Sequence, residues 1–203
     1  MAIIKRFVII YLSIIISFLV SGVVHAQDIK EKNPELARSS VVVVGKAGFK
    51  FAKNTEFTWV KDHADISGAF KKADFPVQTL LDDGIMQALQ ARGYKFNPSN
   101  KSSLQIHYHV SLESEMDDTA LAIRYGLAPG LNANSEASKK YERGTLVVDL
   151  IDPALLKVVW RGAIGVFTGI EKTDQGRKER VNVLMQELFA SVPYVQKAPV
   201  NGH

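Results

Sequence analysis

Among the five histidines, only His107 and His109 lie close enough in sequence to share a ligand. In an extended strand, residues i and i+2 point to the same side, so both imidazoles could grip one zinc ion. Glu113 falls on that face as well, and Glu115, Asp117 or His63 is the candidate third ligand. The chemistry would be that of a metal-dependent hydrolase. A catalytic zinc needs three protein ligands, and the sequence brings only two close together. The other account of the pair is a half-exposed strand with histidines on its polar face.

The acidic run Glu113, Glu115, Asp117 and Asp118 has calcium-type ligands but neither the glycine nor the twelve-residue spacing of an EF-hand loop. It reads as the solvated start of a loop. There is no cysteine, hence no thiol nucleophile, and no G-x-S-x-G, P-loop or G-x-G-x-x-G motif occurs. Trp59 and Trp160 form either a ligand platform or, among their apolar neighbours, part of the core. Lys139-Lys140 and Arg177-Lys178 read as solvated charges. No cofactor is implied.

The His pair belongs to the cleanest strand in the chain. Leu104, Ile106, Tyr108, Val110 and Leu112 alternate with Gln105, His107, His109, Ser111 and Glu113, which places one face on a core. Before it, Val41–Val44 and Thr55–Val60 read as strands, and Lys61–Lys72 as a polar connection. Val77, Leu80, Leu81, Ile85, Ala88 and Leu89 recur at helical spacing after Pro76, and Gly93 is placed to end that helix. Glu113–Glu142 shows little periodicity. Thr173–Val192 is a second amphipathic helix closed by Pro193. The order predicts an α+β domain: a largely antiparallel sheet of about five strands with two helices packed on one face.

Gly144–Phe167 organises that sheet as a hairpin. A three-residue loop, Ala154–Leu156, pairs Pro153 with Lys157, Leu150 with Trp160 and Asp149 with Arg161. Leu146, Val148, Leu150, Val158, Trp160, Ile164 and Val166 then face the helices. Asp149 and Arg161 meet on the other face beside Val147, Ile151, Val159 and Phe167. That second face is unusually apolar for an exposed surface, so either the long loop or the N-terminal strands cover it, or a partner docks there.

Residues 1–26 have the form of a signal peptide: Lys5 and Arg6, an apolar run from Phe7, and Val24-His25-Ala26 before a cleavage site. Cleavage removes two positive charges, so the net charge of +4 becomes +2, which speaks against a nucleic-acid partner. Export gives a periplasmic protein. Without a cysteine after the apolar run the product is not a lipoprotein, and no stable membrane anchor remains. An uncleaved segment would instead tether the chain to the inner membrane. Residues 27–40 read as a flexible leader, 41–193 as a single domain and 194–203 as a loose tail.

Gly144–Asp152 followed by Val159-Trp160-Arg161-Gly162 resembles the signature of the bacterial domain-of-unknown-function 4136 family. Thr58-Trp59, the LQARGY helix end at Leu89–Tyr94 and the strand at Leu104–Val110 fit the same pattern in the same order. The resemblance spans about residues 40 to 193. It implies an exported cell-envelope protein, in relatives often lipid-anchored, with no catalytic residues to carry over. The lipobox cysteine is missing here. The family's turn often has glycine where this chain has Leu156, and a leucine at positive φ would be strained. Together these readings point to a non-enzymatic binding or assembly factor whose partner is an envelope protein or lipid-associated.

Overall fold

In chain order the elements are β1 (Ser39–Gly45), β2 (Glu56–Ile66), α1 (Gly68–Lys71), α2 (Val77–Ala91), β3 (Lys95–Phe96), β4 (Leu104–Leu112), α3 (Asp118–Tyr125), β5 (Arg143–Asp152), β6 (Lys157–Phe167) and α4 (Asp174–Leu188), which runs into a 3₁₀ turn at Phe189–Ser191. The structure is a computed structural model and describes residues 38–51, 55–131 and 137–195. The signal-like segment, the leader up to 37 and the tail from 196 lie outside the described residues.

One sheet holds the strands in the order β1-β6-β5-β4-β2-β3. β1, β6, β5 and β4 run antiparallel, whereas β2 is parallel to both β4 and β3. The expected sheet is thus corrected: it has six strands and is mixed. The cause is the crossover. The chain leaves β2, passes through α2 on one face, and returns in the same direction as β4, which is the connection parallel strands require.

The second half of β2 and the short elements α1, β3 and α3 escaped the periodicity. β2 continues through Lys61–Ile66, which reads as a polar connection because the ladder to β4 shifts between Trp59 and Ala64, with Asp62 at φ 54°. An irregularity of this kind destroys the two-residue alternation. α3 has only eight residues, too few for a helical stripe to stand out. Its ends are nevertheless marked. The Asp117 side chain accepts the Ala120 N–H, and Gly126 closes the helix in the left-handed region at φ 75°.

The hairpin pairs Asp149 with Arg161 and Leu150 with Trp160, as the sequence predicts. Beyond them the register shifts: Ile151 meets Val158, and Asp152 meets Lys157. Val159 is the extra residue, so the loop has four residues rather than three. The bulge also exchanges the roles of two neighbours. Val159 is buried in the helix-side core and Val158 is exposed. Leu156 sits in the turn at φ 50° and is almost fully exposed.

The main core lies between the sheet and the two long helices. Ile106, Tyr108, Val148, Leu150, Trp160 and Ile164 meet Leu81, Ile85, Ala88 and Leu89 of α2 and Met185 and Leu188 of α4. Trp160 is core, stacked on Phe189 with ring centroids 5.3 Å apart, and its indole N–H donates to Ser191 Oγ at 3.0 Å. α2 and α4 touch at Gly84, where a Cβ would lie 2.5 Å from Val181 Cγ1. Tyr194 and Val195 are not loose. The Arg92 guanidinium lies 4.8 Å above the Tyr194 ring, and the Val195 N–H donates to the Arg92 carbonyl at 2.8 Å.

Candidate functional site

The two helices do not seal the sheet. Between α1, α2, α4 and the strands a cleft of about 310 Å³ stays open. Strand side chains such as Val110, Leu112, Ile164 and Val166 floor it, with Leu80 and Leu81 of α2 on one wall and Val181, Leu184 and Met185 of α4 on the other. α1 is a single turn, so Phe70, Ala73 and Phe75 edge the opening instead of filling it. Gly144 lets the rim close in, because a Cβ there would stand 2.6 Å from Thr168 Cγ2 and 3.3 Å from Phe70 Cζ. A largely apolar concavity with a few polar groups is the usual form of a small-molecule site.

Three charged side chains line the cleft: Glu171, Arg177 and Arg180. Arg180 donates to Glu171 Oε1 at 2.9 Å and to the Phe167 carbonyl at 3.1 Å, which ties the β6–α4 connection to the helix. Arg177 lies 4.5 Å above the Phe75 ring, donates to the Glu171 carbonyl at 3.2 Å and pairs with Asp174 at 2.6 Å. The expectation of a merely solvated Arg177 is therefore corrected: an aromatic ring holds it at the opening. Its spacing carried the signal. Residues 177, 180, 181, 184 and 185 recur at three- and four-residue steps, so the arginines share a helix face with the apolar stripe.

Of the residues singled out for metal chemistry, His107 and His109 lie on the opposite face of the sheet, and among the described residues no third ligand joins them there. His109 is buried, with Nδ1 2.9 Å from Asp65 Oδ2 and its ring 5.4 Å from that of Tyr125. His107 stands across the ladder from Asp149. His63 is on the helix side, stacked on Trp59 and 3.0 Å from Asp82, which also accepts the Tyr108 hydroxyl at 2.8 Å. Among the described residues no three His, Cys, Asp or Glu side chains form a metal-ligating group.

The acidic run is structural rather than simply solvated. Glu113 and Asp118 grip the buried Arg143 at 2.8 and 2.9 Å, Glu115 accepts the Ala69 N–H at 3.0 Å, and Asp117 caps α3. Through these contacts the segment from Glu113 to Leu131 lies across the second face. Leu121 and Leu127 bury Val147 and Ala163 beneath it, and Phe167 packs on Leu131 and Ala137. Of the residues expected to line a partner surface, Val147 and Phe167 are thus buried within the chain on this face, and Val159 is buried in the helix-side core. Ile151 is half-buried. Asp149 and Arg161 form a two-pronged pair at 2.5 and 2.6 Å under Tyr125, whose carbonyl accepts a third bond from Arg161 at 2.8 Å.

These surroundings shift several ionisations. The hydrogen bond to Asp149 raises the Arg161 guanidinium further. Burial pushes the Asp65 carboxyl up, but the hydrogen bond and charge of His109, with Arg124 and His107 nearby, bring it net below the ordinary carboxylate value. Burial raises the Tyr125 phenol. Burial, aided by Asp82, raises Tyr108 strongly.

A family model described as a domain of unknown function (DUF4136) matches residues 41–194. No curated protein matches the chain. Among solved structures, a PelC variant dodecamer from Paraburkholderia phytofirmans is similar at 13% identity, over 79% of this chain and 100% of that one, with a TM-score of 0.48. A second PelC dodecamer from that organism has 12% identity, the same coverage and a TM-score of 0.47. A PDZ domain protein from Parabacteroides distasonis has 13% identity over 84% of this chain and 40% of that one, with a TM-score of 0.46.

Proposed function

This chain belongs to the DUF4136 family, a domain of unknown function, and from that starting point we propose that it is a non-enzymatic binding factor of the bacterial cell envelope, acting in the periplasm. The cleft between α2, α4 and the sheet is its binding site. One observation carries this reading: an open, largely apolar concavity whose lining includes only three charged side chains, Glu171, Arg177 and Arg180. Filling such a space would add burial at about 25 cal/mol per Å² of apolar surface. The signal-like residues 1–26 support export, and among the described residues no helix is long and apolar enough to cross a membrane. Assembly of an envelope structure is a natural use for such a site, with the ligand or an apolar side chain of a partner as the occupant.

The test is titration of the native protein with N-phenyl-1-naphthylamine, an apolar dye that brightens out of water. The wild type is expected to bind it saturably, and Ala73→Trp, which places bulk in the mouth, to lose that binding while its unfolding transition is unchanged. Absence of saturable binding, or equal binding by the folded variant, overturns the reading.

A further inference from the structure

Resting on that cleft, we propose that its occupant is a single acyl chain with an anionic head group, carboxylate or phosphate, with the chain among the apolar walls and the head on Arg177. Three observations converge on this class. The first is size. About 310 Å³ is at the small end for a ligand pocket, which suits one chain rather than a two-chain lipid.

The second is the way polarity divides along the opening. A smaller groove of about 190 Å³ adjoins the cleft and shares Phe75, Leu80 and Arg177 with it. Its other charged members are Asp83, Asp174 and Lys178. Arg177 therefore stands at the junction of an apolar space and a polar one, where the head of an amphiphile would have to lie.

The third is the state of Arg177 itself. Its guanidinium is already fixed on Phe75, so little freedom is lost when an anion arrives. Its carboxylate partner, Asp174, is 81% exposed, and an exposed pair of that kind contributes little. A carboxylate or phosphate can displace Asp174 and take the charge-assisted bond from Nη2, while Nη1 stays on the Glu171 carbonyl and keeps the guanidinium in place. Arg180 does not compete for this role, because its partner Glu171 is largely buried and anchors the β6–α4 connection.

The experiment is calorimetric titration of the protein, purified as the cell produces it, with octanoate, decanoate and dodecanoate below their micelle-forming concentrations. Dodecyl lysophosphatidylglycerol serves as the phosphate source and dodecyl maltoside as the neutral control. Affinity is expected to rise about fourfold per added methylene until the cleft is filled. Arg177→Gln is expected to weaken the fatty acids and the lysophospholipid alike by more than fivefold, leave dodecyl maltoside unchanged, and unfold at the wild-type temperature. Preference for dodecanoate or for the lysophospholipid identifies the source. If dodecyl maltoside binds as tightly as the anions, or Arg177→Gln loses nothing, the head-group assignment fails and the cleft remains a binding site. If the dye binds and no acyl chain does, the ligand class fails. If neither binds, the cleft reading fails with it.

Discussion

Gly84→Ala should destabilise the protein, although alanine is the better helix former. In an exposed helix interior the exchange would gain up to about 1 kcal/mol. Here the new Cβ would stand 2.5 Å from Val181 Cγ1 and 3.1 Å from Met185 Cγ. Carbon atoms prefer about 3.5–4.0 Å, so the nearer contact overlaps by roughly 1 Å. Val181 is β-branched and has one favoured rotamer in a helix, so it cannot swing aside cheaply. Met185 is buried and gives little more. Relief requires α4 to move off α2, and overpacking of this kind costs about 1–3 kcal/mol. The net expectation is a loss of up to about 2 kcal/mol, read as a lower urea midpoint at unchanged slope. Gly84→Ala/Val181→Ala removes the obstructing methyl, so the two changes should couple by roughly 2 kcal/mol in a double-mutant cycle. A Gly84→Ala variant that is more stable than the wild type, with additive behaviour in the cycle, would refute the close helix contact on which the cleft wall depends.

Three further outcomes are expected. Leu156→Gly should stabilise the fold by about 0.5–1 kcal/mol, because the left-handed conformation costs a non-glycine residue about 1–2 kcal/mol and the exposed leucine has little packing to lose; thermal unfolding checks it, and a drop in Tm argues against strain at the turn. Arg143→Ala removes bonds to Glu113, Asp118 and the Leu131 carbonyl; it should cost about 2–3 kcal/mol and speed hydrogen exchange at Leu121 more than at Ile85, whereas uniform exchange would show that the segment is not held separately. Burial pushes the Tyr94 phenol up to about 12, so its contribution is complete below the unfolded value of about 10 and is lost as pH rises from 10 towards 12, about 2–3 kcal/mol in all; Tyr94→Phe should flatten the stability profile in that window.

The parts of this fold that were legible in the sequence are those where a pattern repeats without interruption. Leu104–Leu112 alternates cleanly, and the stripe from Val77 to Leu89 has helical spacing, so both elements and their buried faces could be read. Asp149 opposite Arg161 was legible because only one register sets the two charges against each other. The reading failed where a single residue breaks the period. Val159 bulges, so it turns inward while Val158 turns out. Asp62 at positive φ interrupts β2 and hides its second half. α3 is too short to show a stripe, and only Asp117 and Gly126 mark its ends. The acidic run looked solvated because its cation, Arg143, lies 25 residues beyond Asp118 and meets it only across the folded sheet. The cleft is a different kind of omission. Its walls come from three separated stretches, around Phe70, Leu80 and Val181, and no local pattern reports the space left between them.

Covalent capture tests most directly whether the apolar cleft holds an acyl chain. A dodecanoate carrying a terminal diazirine would be photolysed on the native protein, and the labelled peptides mapped by mass spectrometry with and without excess dodecanoate. The expected result is saturable, competed labelling on the cleft-facing residues Leu80, Val166, Val181 and Leu184, and its loss in Ala73→Trp. Labelling confined to the exposed valines of β1, or labelling that dodecanoate does not compete, would contradict it.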